Sequence, residues 1–273
     1  MSTEVEKHYG GSGNLAAQVR EALIAAGKDL ERLTNEDLAA IGEFHIRGRA
    51  ATLELASRME LAPGCHVLDI GSGLGGPART LAEKYGCRVT GVDLTRSFCE
   101  AATAMSAWVG LAGKVRFVHG DAASVGFEPA SFDAAMTIHV AMNVAAKDAL
   151  YAGARRALKP GRIFAVYDVL QGEGGPVLFP VPWAREPAIS HLATPAQMRE
   201  LLAGAGFRIL EEIDSTEQSA AWFRDKAAGI TKAGPAPVGF QLFLGADYAR
   251  MARNQVQNLA EKRIRTVAYI CRG

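Results

Sequence analysis

Three aspartates follow three successive predicted strands and could together bind a cationic ligand. Asp69 lies within the segment HVLDIG, Asp93 ends RVTGVD, and Asp121 ends KVRFVHGD. Because the carboxyl ends of parallel strands meet at one edge of a sheet, we expect the three carboxylates to converge there. Each aspartate alone could be a helix cap or a turn residue. Their occurrence at three strand ends in succession favours a shared ligand.

A glycine-rich turn, VLDIGSGLGG over residues 67–76, joins the first of these strands to a helix. Gly71, Gly73 and Gly75 can adopt positive φ angles, and without a Cβ they let a ligand approach the backbone closely. The helix that follows directs its first amides and its dipole toward that ligand. By itself this turn fits a dinucleotide such as NAD or another adenosine cofactor.

The three aspartates distinguish these two cofactors. A carboxylate at Asp69 would repel the pyrophosphate of a dinucleotide but attract a cationic head group. Asp93 follows the turn by about 20 residues, where a carboxylate can hold both ribose hydroxyls. Asp121 can accept a hydrogen bond from an adenine amino group, and the Ala122 N–H can donate to a ring nitrogen. The expected ligand is a nucleoside with an ammonium-like or sulfonium-like head.

The elements that would position these residues alternate between strands and helices along the chain. Strands alternating with helices of about ten to fifteen residues predict a parallel sheet with helices on both faces. Strands are predicted over residues 66–70, 88–93, 114–121, 132–140, 162–169, 207–216 and 265–271.

The remaining segments are predicted to cover the carboxyl ends of the strands, where open α/β sheets bind their ligands. Residues 1–60 are predicted as a helical N-terminal lid with helices over 14–26, 34–45 and 47–60. Residues 61–273 form the predicted core, with cover segments over 171–193 and 217–262, the latter a helical insertion before the last strand.

Composition excludes several classes of protein. The 273 residues carry 30 Lys+Arg against 29 Asp+Glu, a formal net charge of +1, which argues against a nucleic-acid partner bound by bulk charge. The four cysteines form no CxxC pair and have no histidine at the spacing of metal ligands, so we expect neither disulfides nor a metal site. With no signal-peptide core and no apolar run long enough to span a membrane, we expect a cytoplasmic protein.

The segments VLDIGSGLGG, GVDLT, HGDAA, SFDAAMTIHV, LKPG and AGF together resemble a class I S-adenosylmethionine-dependent methyltransferase. They extend over about residues 64–216. The resemblance implies an α/β fold with a Rossmann-like, doubly wound sheet of seven strands whose last hairpin is reversed. It implies S-adenosyl-L-methionine as cofactor and S-adenosyl-L-homocysteine as product.

The front segments FHIRGRAATLELA and HYG resemble the small-molecule group of these enzymes. That group includes glycine, sarcosine and dimethylglycine N-methyltransferases, tocopherol-type and sterol C-methyltransferases, and natural-product methyltransferases. It often has paired glycines where this chain has Arg47 and Gly48, so Arg47 could alter what the lid accepts.

The resemblance and the positions at strand ends together nominate the site residues. The cofactor is expected to contact Asp69, Gly71, Ser72, Gly73, Asp93, Leu94, Asp121, Ala122 and His139. The substrate side is expected to include Tyr9, His45, Asn143, Tyr167 and Trp183. No catalytic residue is identified, because a base is needed only if the acceptor arrives protonated. His139, Asp168 and His191 are candidates for that base, and local packing explains each of them equally well.

The predicted function is methyl transfer by in-line displacement to N, O or C of a small-molecule acceptor, with an amine of the glycine or sarcosine type slightly favoured. One alternative is an NAD(P)-dependent oxidoreductase. Another is a protein of the same fold that binds the cofactor without methylating. A nucleic-acid methyltransferase is disfavoured, since no NPPY-like tetrapeptide and no dense basic run occur. The acceptor and the formation of a homo-oligomer are left open.

Overall fold

Runs of β-branched and apolar residues form the strands of a single seven-stranded sheet in the computed structural model of the chain. The structure describes residues 2–9, 14–121, 126–233 and 238–273, with the side chains of 2–3 and 227–233 left aside. The strands are β1 (His66–Ile70), β2 (Arg88–Asp93), β3 (Val115–His119), β4 (Phe132–Ile138), β5 (Leu158–Gln171), β6 (Arg208–Asp214) and β7 (Ile264–Arg272).

The strand order is β3-β2-β1-β4-β5-β7-β6, and β7 runs antiparallel to both of its neighbours. The other neighbouring pairs are parallel. The chain reverses its direction of progress across the sheet between β1 and β4, and such a reversal leaves a crevice at the carboxyl ends of those strands. The predicted Rossmann-like, doubly wound sheet with a reversed last hairpin is confirmed.

Helices cover both faces of the sheet and its carboxyl edge. Helix boundaries follow local signals: Thr194 caps the eighth helix in a capping box, with Pro195 at its first turn. The α-helices are α1 (Ser2–Tyr9), α2 (Leu15–Ala25), α3 (Ala39–Gly42), α4 (Gly48–Ala56), α5 (Gly76–Lys84), α6 (Arg96–Trp108), α7 (Lys147–Ala157), α8 (Pro195–Gly204), α9 (Thr216–Ala233), α10 (Gln241–Leu244) and α11 (Tyr248–Ala260).

Each face of the sheet buries its own apolar layer, because successive strand side chains point to opposite faces. Leu68 and Phe164 belong to a buried cluster with residues of α7 and α8. Val67 and Ala165, one residue away in each strand, belong to a second cluster with residues of α4 and α5. This burial holds the strand ends rigidly at the edge where the predicted site residues lie.

The front of the chain packs on the core at close range. A Cβ on Gly76, at the start of α5, would overlap the carbonyl of Gly42 at the end of α3, so the two backbones are in contact. Arg47 adopts a left-handed φ of 69° before α4 and pairs with Glu54. A positive φ favours glycine, so Arg47 occupies a backbone conformation that suits the first of the two glycines often found at this place in the group that the sequence resembles.

One prediction for the front is corrected, and one helix there was not predicted. The helix predicted over residues 34–45 is only the short α3, and residues 35–38 before it form a turn in which Asp37 accepts hydrogen bonds from the Thr34 N–H (2.9 Å) and hydroxyl (2.6 Å). In addition, the first residues form the helix α1, which the polar sequence did not predict.

The described part of the chain contains no helix that could cross a membrane. Within the same residues, no group of three or more His, Cys, Asp or Glu side chains could hold a metal ion. All four cysteines are free, and Cys87, Cys99 and Cys271 are buried.

Candidate functional site

A cavity of about 320 Å³ opens at the switch point between β1 and β4. We call it the cofactor cavity. Among its lining residues are Asp69, Gly71, Ser72, Gly73, Asp93, Leu94, Asp121 and His139. The structure therefore brings together the residues predicted to contact a cofactor, except Ala122, which lies outside the described residues.

The glycine turn is held against the neighbouring strands by its own backbone. The N–H groups of Gly71 and Ser72 donate to the Val92 carbonyl at 2.8 and 3.0 Å. Gly71 has a φ of 72°, and a Cβ there would overlap the side chain of Val140. Only glycine allows this approach, which brings the turn after β1 against the loop after β4.

Asp93 is fixed by two backbone amides at the end of β2. Its Oδ2 accepts from the Gly73 N–H at 2.7 Å, and its Oδ1 accepts from the Thr95 N–H at 2.8 Å. Burial raises the pKa of this carboxyl above its usual value. Because each carboxylate oxygen has two lone pairs, both can accept a further hydrogen bond from a ligand in the cavity.

Asp69 has an unsatisfied acceptor. It is 2% exposed, and its Oδ2 has no hydrogen-bond partner among the described residues; the nearby hydroxyl of Ser72 has none either. Burial, followed by the charges of Glu43 and Asp93, raises the pKa of Asp69 to about 8. Buried polar groups are normally paired, so these two atoms indicate a ligand donor, and the carboxylate favours a cation.

A second cavity of about 600 Å³ adjoins the first and shares Phe44, His45 and His139 with it. We call it the cap cavity, because α9, α11 and residues 171–193 supply much of its wall. Its other lining residues are Ile46, Met142, Pro182, Trp183, Trp222, Phe223, Lys226, Phe240, Tyr248, Ala252, Arg253, Gln255, Val256 and Gln257.

His139 lies in the wall between the two cavities. It follows β4 with a positive φ of 53°, and its ring centroid is 5.9 Å from that of His45 and 4.9 Å from that of Tyr167. Burial, and to a lesser degree the charge of His45, holds the pKa of His139 well below its usual value. The ring is therefore neutral near pH 7, and its Nε2 has no partner among the described residues.

Helix α1 is tied to the loop after β4 and to residues 182–189. The Tyr9 hydroxyl donates to Asn143 Oδ1 at 3.0 Å. The Asn143 amide in turn donates to the carbonyls of Trp183 (2.8 Å) and Ile189 (2.7 Å). A His8 ring nitrogen lies 2.9 Å from the carbonyl of Pro182. Tyr9 and Asn143 line the cofactor cavity, so this helix roofs it.

The residues predicted for the substrate side are distributed between the two cavities. His45 lines both, Trp183 lines the cap cavity, and Tyr9 and Asn143 line only the cofactor cavity. Tyr167 lines neither, because its ring packs behind His139 and its hydroxyl lies 3.5 Å from that of Ser219.

Two of the three candidate bases are placed away from both cavities. Asp168 is 1% exposed, its Oδ1 accepts from the Val169 N–H at 2.8 Å, and burial raises its pKa to about 7. His191 lines a separate surface groove, where its carbonyl accepts from the Lys147 ammonium. Only His139 lies where it could meet both a cofactor and an acceptor.

The sequence reasoning missed most of the cap cavity. Tyr248, Ala252 and Val256 recur every four residues along α11, a helical stripe that the sequence contains. Trp222 and Lys226 have the same spacing on α9. The stripes alone do not reveal that they face a shared cavity, because that depends on how the two helices pack over the sheet.

Residues 68–166 match the family model described as "Methyltransferase domain". This part of the chain, about a third of its length, is similar to a methyltransferase domain. The matched segment begins in β1, contains the glycine turn, Asp93 and His139, and ends in β5, so it includes most of the cofactor cavity. The resemblance inferred from VLDIGSGLGG, GVDLT and the other quoted segments is confirmed.

Comparison with known proteins extends the similarity beyond this domain. The chain is 38% identical to a sterol 24-C-methyltransferase of Gibberella zeae over 116 residues, which cover 42% of this chain and 30% of that protein. In three of the curated relatives, the matched segments cover between 30% and 61% of the relative's length. The chain thus spans less than two thirds of the length of these relatives.

Two solved structures share the fold of this chain over most of its length. The cyclase SpnF superposes with a TM-score of 0.66 and 25% identity, over 82% of this chain and 80% of that one. Phosphoethanolamine N-methyltransferase 2 of Haemonchus contortus superposes with a TM-score of 0.73 and 22% identity, over 89% of this chain and 58% of that one.

Proposed function

We propose that this protein uses S-adenosyl-L-methionine to methylate a small molecule held in the cap cavity. The observation that carries the proposal is the unpaired oxygen of buried Asp69 beside the amide-held carboxylate of Asp93 in one cavity, within the part of the chain that is similar to a methyltransferase domain. Carboxylates in this arrangement suit a ligand with both a cationic group and a ribose. The alternative of an NAD(P)-dependent oxidoreductase finds no support in the domain match.

The residues of the cofactor cavity fit this cofactor. Asp69 and Ser72 would receive its ammonium group, because their unpaired atoms and the raised pKa of Asp69 are relieved by a cation. Asp93 would accept from the ribose hydroxyls, and Asp121 would accept from the adenine amino group. Bound there, the cofactor supplies an electrophilic methyl group on a sulfonium, and S-adenosyl-L-homocysteine is the product. Residues 1–60 would act as the lid, with Tyr9 over the cavity.

The cap cavity is the proposed acceptor site, because it meets the cofactor cavity at Phe44, His45 and His139. In-line displacement requires the accepting atom and the methyl group to be aligned, and a shared wall allows that alignment. His139 is neutral and can take the proton of an acceptor that arrives protonated, such as a hydroxyl.

The slight preference for an amine of the glycine or sarcosine type stays an untested prediction. A small amino acid would occupy little of a 600 Å³ cavity lined largely by aromatic and aliphatic side chains. The described lining residues include no carboxylate that could hold an ammonium group. The lining therefore favours a larger and more apolar acceptor.

Two measurements test the proposal. Calorimetry should show binding of S-adenosyl-L-homocysteine, and binding of NADH in its place would overturn the assignment of the cofactor. Incubation with methyl-labelled cofactor and a panel of hydroxylated, amine and carbon-acid metabolites should yield a labelled product. Cofactor binding with no product across the panel would favour the alternative of a non-methylating protein, an outcome that the likeness to a cyclase makes worth measuring.

His139→Gln separates a role in proton transfer from a role in binding. With the acceptor found in the panel, we expect kcat to fall by about 100-fold, since general bases contribute on that order. Affinity for S-adenosyl-L-homocysteine should stay within a few-fold of the wild-type value. Because the pKa of His139 lies below its usual 6.5, the wild-type rate should show no step at that pH from this residue. An unchanged kcat in the variant would refute the proton-transfer role.

A further inference from the structure

Among the described residues that line the cap cavity, the charged side chains are all positive. Its described lining residues include two cations, Lys226 of α9 and Arg253 of α11, and no aspartate or glutamate. A positively charged ligand would find no opposite charge there and would be repelled by both residues. An anionic ligand would find two partners at the ends of flexible side chains.

Lys226 is positioned by an aromatic side chain and not by an acid. Its ammonium lies 4.6 Å from the centroid of the Trp222 ring, and it forms no ion pair with any described residue. Partial burial lowers the pKa of this ammonium. A cation that has lost some of its water without gaining a carboxylate can still form a charge-assisted hydrogen bond with an anion.

Arg253 is also left without a carboxylate among the residues that the structure describes. Other arginines of the same region are paired: Arg185 with Asp247, and Arg263 with Glu261. A guanidinium that is not engaged in this way can bind two oxygens of a carboxylate or sulfonate in a bidentate manner.

The two ends of the cap cavity differ in their exposure to solvent. Lys226 and Arg253 are exposed residues, whereas Trp183 is 1% exposed and His139 is half-buried in the wall shared with the cofactor cavity. The cations therefore mark the open end, and His139 marks the closed end. The aromatic rings, such as Trp222 and its neighbours on α9 and α11, provide apolar walls for the length of a ligand.

We propose that the methyl acceptor is an apolar, ring-containing molecule with an anionic group such as a carboxylate. The anion lies at the open end beside Lys226 and Arg253, the rings lie against the aromatic walls, and the accepting atom faces His139. This inference rests on the proposed function in one respect, that the cap cavity is the acceptor site.

The test uses a matched pair of fluorescent probes on the whole chain, with and without excess S-adenosyl-L-homocysteine. Anilinonaphthalene sulfonate is an apolar anion, and N-phenylnaphthylamine has the same ring skeleton without the charge. We expect the anion to bind at one site per chain and about tenfold more tightly than the neutral probe, with the difference shrinking as salt is added, because the cations are exposed.

The double variant Lys226→Gln, Arg253→Gln should bring the two probes to similar affinities, while Arg250→Gln should leave the difference unchanged. Arg250 is the matched control, an exposed arginine on the same helix that does not line the cavity. Equal binding of the two probes to the wild type, or an anion preference that survives the double variant, would overturn the inference. Since cofactor binding is measured separately by calorimetry, its absence alongside an intact anion preference would count against the proposed function alone.

Discussion

The two cavities of this protein share a wall but differ in charge. The cofactor cavity is lined by Asp69, Asp93 and Asp121 and, among its described residues, by no lysine or arginine. The cap cavity has the reverse, with Lys226 and Arg253 and no acid in its described lining. A formal net charge of +1 conceals this separation. The comparison teaches that the charges lining one site suit a cation and those lining its neighbour suit an anion.

The largest effect is expected from Asp93→Ala, which should impair the cofactor cavity and leave the cap cavity intact. We expect affinity for S-adenosyl-L-homocysteine to fall by about 100-fold, because hydrogen bonds to a charged acceptor are worth about 1.5–3 kcal/mol and the ribose would lose that acceptor. Calorimetry measures the loss. Anilinonaphthalene sulfonate should still bind the variant within about twofold of its wild-type affinity. If both ligands bound the variant equally more weakly, the substitution would have disrupted the fold as a whole and not the cofactor cavity alone.

The next effect concerns pH and Asp69. Since its pKa is raised to about 8, the free protein holds a proton on Asp69 below that pH, and a cationic ligand favours the ionised form. Affinity for S-adenosyl-L-homocysteine should therefore rise with pH up to about 8, by up to about tenfold per pH unit, and binding should release a proton. Calorimetry in two buffers of different ionisation enthalpy detects that proton. Asp69→Asn should abolish both the slope and the release, and a slope that persists in this variant would assign the proton to another group.

Trp222→Ala should act on the cap side alone. Removing a ring that lines the cavity and supports Lys226 should weaken anilinonaphthalene sulfonate by about tenfold, as expected for loss of a buried aromatic contact. Binding of S-adenosyl-L-homocysteine should not change. Trp108→Ala is the matched control, because Trp108 packs among the front helices and lines neither cavity. Parallel losses in the two variants would show that the effect is not specific to the cavity.

The smallest effect is expected at the roof of the cofactor cavity. Tyr9→Phe removes one hydrogen bond to Asn143, worth about 1 kcal/mol, and should weaken S-adenosyl-L-homocysteine by about fivefold. We expect S-adenosyl-L-homocysteine to dissociate faster from the variant, and stopped-flow fluorescence measures that rate. If the variant binds and releases the cofactor as the wild type does, α1 does not contribute to holding it.

The two cavities also differ in how far the sequence predicts them. Asp69, Asp93 and Asp121 follow consecutive strands, and parallel strands place their ends together by a general rule of the fold. The sheet itself is predictable for the same reason, since alternating apolar strands and helices allow few arrangements. Gly71 is predictable too, because its positive φ and its close contact with Val140 allow only glycine at this position.

No comparable rule predicts the cap cavity from the sequence. Phe44 follows α3, Trp183 lies in an irregular segment, and Trp222 and Tyr248 belong to different helices. Which of their faces meet depends on side-chain packing between segments far apart in the chain, and helical spacing alone is satisfied by any buried stripe. The absence of Asp168 and His191 from both cavities has the same origin, because a position near a strand end does not fix the direction of the side chain.

The side chain of Asn143 joins three parts of the molecule, since one amide group holds Tyr9 of α1 and the carbonyls of Trp183 and Ile189. The helix over the cofactor cavity and the segment that walls the cap cavity are thus fastened to a single residue. A ligand that orders α1 would also order the wall of the cap cavity, and occupancy of one cavity would then raise the affinity of the other. Thermodynamic linkage would make this dependence mutual and equal in both directions, so either ligand would strengthen the binding of the other by the same factor.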